Sequence, residues 1–193
     1  MKLSPVFLMS LAFMFVISLV ACDDDSKSSD NNSNNGFELL QQEEDVLYYT
    51  NYVRTDPAGF AQEFLQNAYD NGNDNGAYED LMSRTPCDEV VLHEDLMAAA
   101  DAHSNDMADN CGMQHDSCDG TSFSDRLWSY FSGSSIGENI AWGYTDGLEV
   151  VKAWIIDHGI PNLGHRENIL ECSWQYMGIS YVDTYWTQDF GRD

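Results

Sequence analysis

Basic side chains are scarce in this sequence. Its 193 residues include 8 lysines and arginines against 33 aspartates and glutamates, which gives a formal net charge of -25. This balance excludes nucleic-acid binding, because too few cations are present to neutralise a phosphate backbone. Electrostatic docking on anionic lipid is excluded for the same reason. The acidic excess does not predict disorder, since hydrophobic residues make up 43% of the chain and aromatic residues 12%, enough to form a core.

The amino terminus carries an apolar run from Val6 to Ala21 that follows Lys2. The run is short for a membrane span, which needs about 20 residues, and it is typical of the core of a secretory signal. It ends in Leu-Val-Ala-Cys, which resembles the lipobox of bacterial lipoproteins. Residues 1–21 are therefore predicted to be a lipoprotein signal peptide, and Cys22 is predicted to carry the lipid.

Residues 23–36 contain no apolar side chain, so this stretch cannot pack against a core. We predict that residues 22–36 form a lipidated cysteine with a flexible acidic tether, and that the folded domain spans residues 37–193. The protein is therefore expected to be exported and lipid-anchored to a bacterial membrane or cell surface. The membrane is then a partner of the protein through Cys22.

Hydrophobic spacing within the domain predicts both helices and strands. Asp56 and Pro57 have the chemistry of a helix start, and so does Asp146. The helices are expected at 38–54, 57–68, 92–109 and 147–158, and the strands at 136–143, 176–182 and 185–190. The last two strands are joined by a two-residue turn, which implies an antiparallel pair. The fold class is α+β, a small antiparallel sheet covered by helices.

Four cysteines remain after Cys22, and an exported chain with an even number suggests two disulfides. Three connectivities are open. A bridge between Cys111 and Cys118 would hold the loop that carries His115, and it would leave Cys87 to pair with Cys172. The alternative is a zinc site of cysteine and histidine, although six residues between two cysteines is not the spacing of a zinc ribbon.

Two common hydrolase motifs are missing. No His-Glu-x-x-His stretch is present, so a standard zinc protease is not indicated. No nucleophile-elbow pattern surrounds any serine, including Ser117, which lies close to His115 in sequence.

Three motifs carry a family resemblance. They are Gly-Glu-Asn-Ile-Ala-Trp-Gly at 137–143, Gly-His-Arg-Glu-Asn-Ile-Leu at 164–170 and Tyr-Trp-Thr-Gln-Asp-Phe-Gly at 185–191. In this order and spacing the chain resembles the CAP superfamily of cysteine-rich secretory, antigen 5 and pathogenesis-related proteins, from about Leu39 to Gly191. The resemblance implies an α-β-α sandwich with helices on both faces of the sheet.

The resemblance also implies a cavity tetrad of two histidines and two acids. Transferred to the matching positions, its members are His115, Glu138, Asp157 and His165. The chain departs from the family at Asp157, where eukaryotic members more typically carry Glu and bacterial members often a small polar residue.

Four other polar residues are placed outside the tetrad. We expect His103 to be a packed and satisfied core histidine, and His93 to be exposed. Glu167 and His158 neighbour the tetrad in sequence, but Glu167 is assigned a structural or exposed position and His158 a helix end.

Two imidazoles with neighbouring carboxylates can bind a divalent metal such as zinc, and the carboxylates can orient the imidazoles or add a ligand. Three functions stay open. The first is a non-enzymatic binding module for a metal, small ligand, lipid or protein. The second is a metal-assisted, peptidase-like hydrolase with Glu138 or Asp157 as general base. The third is a structural or adhesion protein in which the tetrad is architectural.

Overall fold

The computed structural model describes residues 36–193. The predicted signal peptide, the lipidation site Cys22 and nearly all of the predicted tether lie outside these residues. The helices of the described part are α1 (Gln41–Thr55), α2 (Pro57–Phe60), α3 (Gln66–Asp70), α4 (Ala77–Ser83), α5 (Glu94–Asp106), α6 (Phe123–Tyr130), α7 (Gly147–Ile156) and α8 (Gly164–Leu170). A π-helical turn at Ala61–Leu65 joins α2 to α3, another at Met107–Cys111 extends α5, and a 3₁₀ turn at Pro161–Leu163 precedes α8.

One four-stranded sheet lies between the helices. Its strands are β1 (Val91–Leu92), β2 (Ser135–Trp142), β3 (Tyr176–Val182) and β4 (Tyr185–Arg192), in the spatial order β1-β3-β4-β2. The pairs β2–β4 and β3–β4 are antiparallel. Asp183 and Thr184 join β3 to β4, both with positive φ, as a two-residue hairpin turn requires. The predicted turn is confirmed.

The two faces of the sheet are covered by different helices. On one face α5 packs so closely against β3 that a Cβ on Gly178 would lie only 2.1 Å from the carbonyl oxygen of Leu96. On the other face α1 contacts the sheet, and the Gln188 side chain donates a hydrogen bond to Thr50 Oγ1. Helix α7 packs against α1. The predicted α+β class and α-β-α sandwich are confirmed.

Strand β2 lies at the edge of the sheet, where unpaired backbone groups need partners. Side chains of the neighbouring helices supply two of them. Asn168 Nδ2 on α8 donates to Glu138 O at 3.0 Å, and Trp154 Nε1 on α7 donates to Ile140 O at 3.1 Å. These bonds hold both helices against the strand that carries Glu138.

The buried guanidinium of Arg54 connects α1 to distant loops. It donates to the carbonyl oxygens of Ile169, Glu171 and Asp88, at 2.7, 2.9 and 3.0 Å. A disulfide between Cys87 and Cys172 joins the same region. These bonds compensate the burial of a charge that would otherwise be costly.

Several elements differ from the sequence prediction. Helices α4 and α6 and strand β1 were not expected, and β1 pairs with β3 in parallel over two residues. The prediction that His93 is exposed is wrong. His93 is half-buried, it accepts a hydrogen bond from Asp95 N at the start of α5, and its ring packs against Phe131 and Tyr176. Within residues 36–193, no helix has both the length and the apolar character needed to cross a membrane.

Candidate functional site

His115 and Glu138 form the first of two imidazole–carboxylate pairs. Glu138 is buried on β2, and its Oε1 lies 2.8 Å from His115 Nδ1. His115 lies in a loop closed by the Cys111–Cys118 disulfide, and its side chain is 52% exposed. Since an ionised carboxylate only accepts, Nδ1 carries a proton in this contact, and Nε2 lies outside it.

Asp157 and His165 form the second pair. Asp157 ends α7 in the left-handed region, with φ of 57°, and it is buried. Its Oδ1 accepts from His165 Nδ1 at 2.7 Å, while its Oδ2 accepts from the backbone N–H of His165 at 3.0 Å. The shorter aspartate therefore reaches its histidine, because the left-handed backbone and the short connection to α8 bring the two together. The Nε2 of His165 lies outside this contact as well.

Strand β2 connects the two pairs. Consecutive residues of a strand point to opposite faces, so Glu138 and Asn139 point apart. Asn139 Nδ2 donates to His165 O at 3.2 Å, which ties the second pair to the strand that carries the first.

The carboxylates of both pairs are already engaged. Arg126 forms an ion pair with Glu138 Oε2, and Asp157 Oδ2 also accepts from Arg166 N at 3.3 Å. Glu138 and Asp157 therefore orient the imidazoles in this conformation, rather than adding a metal ligand. This donor set suits a metal held by the two imidazoles, because carboxylates commonly orient metal-binding histidines in this way.

Within residues 36–193, Asp106, Cys111 and Cys118 lie close enough together to share a metal ion, whereas no three members of the tetrad do. Cys111 and Cys118 are joined as a disulfide, so neither offers a thiolate. The disulfide accounts for this cluster.

Glu138 belongs to a buried group of ionisable side chains. Two members of this group, Arg126 and Asp189, were not predicted from the sequence. Asp189 pairs with Glu138 in register on β4 and is fully buried. Burial raises the pKa of Asp189 well above its usual 3.8, and the neighbouring Glu138 charge adds to the increase. Neither oxygen of Asp189 has a hydrogen-bond partner among the described residues. We infer that Glu138 holds the negative charge beside Arg126, while Asp189 stays protonated.

His103 lies beside the same group, as a buried residue. Its Nε2 is 2.9 Å from Gln114 O and 4.0 Å from Glu138 Oε2. Burial lowers the pKa of His103. The expectation of a core histidine is correct for its burial, but not for full satisfaction, since Nδ1 has no partner among the described residues.

Two sequence signals could have pointed to this group, although neither was used. Arg126 is one of only 8 basic residues in a strongly acidic chain, and a cation that rare is notable next to the His115 loop. It donates to His115 O at 2.7 Å. Asp189 is a carboxyl within a buried strand, where an unpaired acid is unexpected.

The other polar candidates lie outside the pairs. Glu167 forms an ion pair with Arg84, and His158 Nε2 lies 2.9 Å from Asn73 O. Ser117 Oγ accepts from Arg126 Nη1 at 3.3 Å. Within the described part of the chain, no serine hydroxyl is hydrogen-bonded to an imidazole, so the geometry does not assemble a serine–histidine nucleophile.

An open groove of about 670 Å³ borders the second pair. It lies beside the end of β2, α7 and the turn after α3. His165 and Asp157 are among its lining residues, whereas the described residues that line it do not include His115 or Glu138. The remainder of the lining mixes aromatic rings with side-chain amides, among them Trp142, Tyr144, Trp154, Asn67, Asn71 and Asn73.

An α-β-α sandwich with two carboxylate-oriented histidines beside an edge strand defines a distinct class of small domains. The profile of CAP, the cysteine-rich secretory protein family, matches residues 47–190. The chain belongs to this family, as the three sequence motifs predicted.

Similar proteins are found in other bacteria. The chain is 38% identical over 104 residues to the uncharacterized protein YkwD of Bacillus subtilis, which covers 52% of this chain and 38% of YkwD. It is 34% identical over 89 residues to the uncharacterized membrane protein YlbC of the same organism, which covers 46% of this chain and 24% of YlbC. The chain thus spans well under half the length of these relatives.

Two solved structures share the fold. An extracellular protein containing an SCP domain from Bacillus anthracis aligns with a TM-score of 0.50 and 30% identity, over 55% of this chain and 35% of that one. An outer surface protein from Borrelia burgdorferi aligns with a TM-score of 0.52 and 16% identity, over 80% of this chain and 97% of that one. The second likeness concerns the fold alone.

Proposed function

We propose that this protein is an exported, lipid-anchored CAP-domain binding module that holds a divalent transition metal through His115 and His165. The observation that supports this proposal is the pairing of each imidazole with a buried carboxylate. Each Nδ1–H is directed at an acid, at 2.8 and 2.7 Å. Each Nε2 lone pair is then available to a ligand outside the pair.

The pairs supply what a metal-binding histidine needs. A carboxylate partner sets the tautomer, orients the ring and increases the basicity of the ligating nitrogen. Glu138 is itself held by Arg126, so the first imidazole is oriented through a hydrogen bond to Glu138 and the ion pair behind it. A bound zinc ion would supply Lewis acidity at this position.

Calorimetric titration of the full chain with zinc tests the proposal. Wild type is expected to bind, and the double variant His115→Ala/His165→Ala to lose binding. Glu138→Gln and Asp157→Asn should each weaken affinity about 10- to 100-fold, the usual cost of removing an orienting partner. His158→Ala is the matched control, since its imidazole has a different partner. Equal zinc affinity in wild type and the double variant would refute the metal site and favour an architectural tetrad.

A second candidate function is hydrolysis at the groove. The observation in its favour is that His165, oriented by Asp157 through Nδ1, borders the groove, where a general base would have to stand. Peptide, ester and glycan substrates should be screened with and without chelator. Activity that persists in His165→Ala would eliminate this mechanism.

The location outside the cytoplasm is supported by the apolar run before Cys22 and by two disulfides, which persist in oxidising compartments. The similar structure from B. anthracis is described as an extracellular protein. Metabolic labelling with a tagged fatty acid, compared between wild type and Cys22→Ala, tests the anchor. We expect label on wild type and none on the variant, and a wild type without label would contradict lipid anchoring.

A further inference from the structure

The groove beside α7 carries exposed aromatic rings that have no part in the proposed metal site. Trp142 is 59% exposed and Tyr144 38% exposed, and both line the groove. Trp142 is the last residue of the edge strand β2, and its ring neighbours that of Tyr185, with 6.2 Å between ring centroids. A large aromatic ring that stays exposed on a concave surface is a typical platform for a flat ligand with apolar faces.

Side-chain amides stand on another wall of the same groove. Asn71 Nδ2 donates to Asn67 O at 2.7 Å and to Asn67 Oδ1 at 3.0 Å. This leaves Asn71 Oδ1 and Asn67 Nδ2 without a hydrogen bond among the described residues. One acceptor and one donor, both uncharged and exposed, are thus presented to a ligand in the groove.

The charged groups of the groove are already paired. Lys152 Nζ contacts Glu149 Oε1 at 2.8 Å, and Asp157 is bonded to His165. A charged ligand would find no unpaired counter-charge there, and an anionic ligand would also be repelled by a chain with a net charge of -25. A purely apolar ligand would bury the amides without hydrogen bonds, which is costly.

The ligand class that remains carries no charge, has apolar ring faces and offers many hydroxyl groups. We propose that the groove binds a neutral carbohydrate chain, with one pyranose ring stacked on Trp142 and sugar hydroxyls hydrogen-bonded to Asn67 and Asn71. A volume of about 670 Å³ holds a short stretch of such a chain. This inference goes beyond the metal site, because the stacking platform and the amides act without a metal.

Titration of the full chain with chitohexaose, cellohexaose and mannohexaose tests the proposal. The titrations are followed by calorimetry and tryptophan fluorescence, with chelator present so that the metal site is silent. At least one hexasaccharide should bind with a Kd on the order of 0.1–1 mM. Trp142→Ala should weaken binding about tenfold or more, as loss of an aromatic stacking platform does elsewhere. Asn71→Ala should weaken binding about threefold, the effect of one uncharged hydrogen bond.

Trp128→Ala is the matched control, because Trp128 is a similarly exposed tryptophan on α6 that does not line the groove. It should leave saccharide affinity unchanged, and thermal melting of each variant should match wild type since both rings are exposed. Failure of all three saccharides to bind at about 10 mM overturns the proposal. Equal affinity in wild type and Trp142→Ala also overturns it. Neither result affects the zinc titration, so the two proposals fail independently.

Discussion

At the scale of single residues, the site depends on which of two neighbouring buried carboxyls, Glu138 or Asp189, carries the negative charge. Glu138 and Asp189 face each other in register, yet only Glu138 has a guanidinium partner. Two ionised carboxylates at this position would repel each other in a medium that screens poorly. Keeping one of them protonated removes that repulsion and leaves a single anion to orient His115.

Replacing Asp189 with Asn should remove a pH dependence from the stability of the fold. Asp189 has a raised pKa in the folded state, so the fold binds its proton more tightly than the unfolded chain does. Its contribution is therefore fully present below the ordinary value of 3.8 and is lost as pH increases towards the raised folded value, with a slope of at most about 1.4 kcal/mol per pH unit. Because Asn copies the protonated acid, Asp189→Asn should be at least as stable as wild type at pH 7.

Denaturant unfolding at a series of pH values measures this effect. The difference in unfolding free energy between Asp189→Asn and wild type should increase above the ordinary aspartate range. Asp119→Asn is the control, since that carboxyl is exposed and its pKa is lowered instead. A constant difference between Asp189→Asn and wild type across this pH range would contradict a protonated Asp189.

At the scale of elements, the sequence predicts best where a pattern is long. The hairpin of β3 and β4 and the amphipathic helices α1, α5 and α7 are set by local spacing and by turn chemistry, and all of them form. Helix α4 and strand β1 are short, with seven and two residues. Their formation depends on tertiary packing and on pairing with β3, neither of which leaves a periodic signal.

The candidate site divides in the same way. His115, Glu138 and His165 could be identified because each stands in or near a motif. Asp157 was also placed in the tetrad, but its contact with His165 could not be predicted, since its reach depends on a left-handed residue at the end of α7. Arg126 and Asp189 also escaped prediction, because their role arises only when β4 and α6 are brought to the two sides of Glu138.

The long disulfide should contribute more to the stability of the fold, whereas the short disulfide should contribute more to zinc binding. Cys111–Cys118 closes a loop with a sequence separation of 7, and Cys87–Cys172 one with a separation of 85. Loop-closure entropy assigns the short bridge about 2–3 kcal/mol and the long bridge about 4–5 kcal/mol of stability. The short bridge nevertheless holds the His115 loop, so its removal should weaken zinc binding more.

Double Cys→Ser variants at each bridge allow this comparison. Denaturant unfolding measures the loss of stability, and calorimetry measures zinc affinity under conditions where both variants stay folded. Each variant serves as the control for the other. If removal of the Cys87–Cys172 bridge lowers zinc affinity as much as removal of the Cys111–Cys118 bridge, then the loop disulfide does not orient His115.

At the scale of the whole molecule, charge is the dominant feature. With 33 acidic and 8 basic residues, the chain carries a net charge of -25. Self-repulsion of this kind destabilises a compact state. The ion pair of Arg126 with Glu138 is buried and therefore weakly screened, whereas pairs such as Lys152 with Glu149 are partly exposed and contribute little.

Sodium chloride should therefore stabilise this protein. Between about 0.01 M and 1 M salt the Debye length falls from about 30 Å to about 3 Å, which removes most of the repulsion between surface carboxylates. We expect Tm to increase by several degrees, since 1 kcal/mol shifts the Tm of a chain of this size by about 2–4 °C. Melting in choline chloride at the same ionic strength is the control for specific sodium binding. A Tm that stays constant or falls in both salts would mean that ion pairs, rather than repulsion among the 33 acids, dominate the electrostatic free energy of the fold.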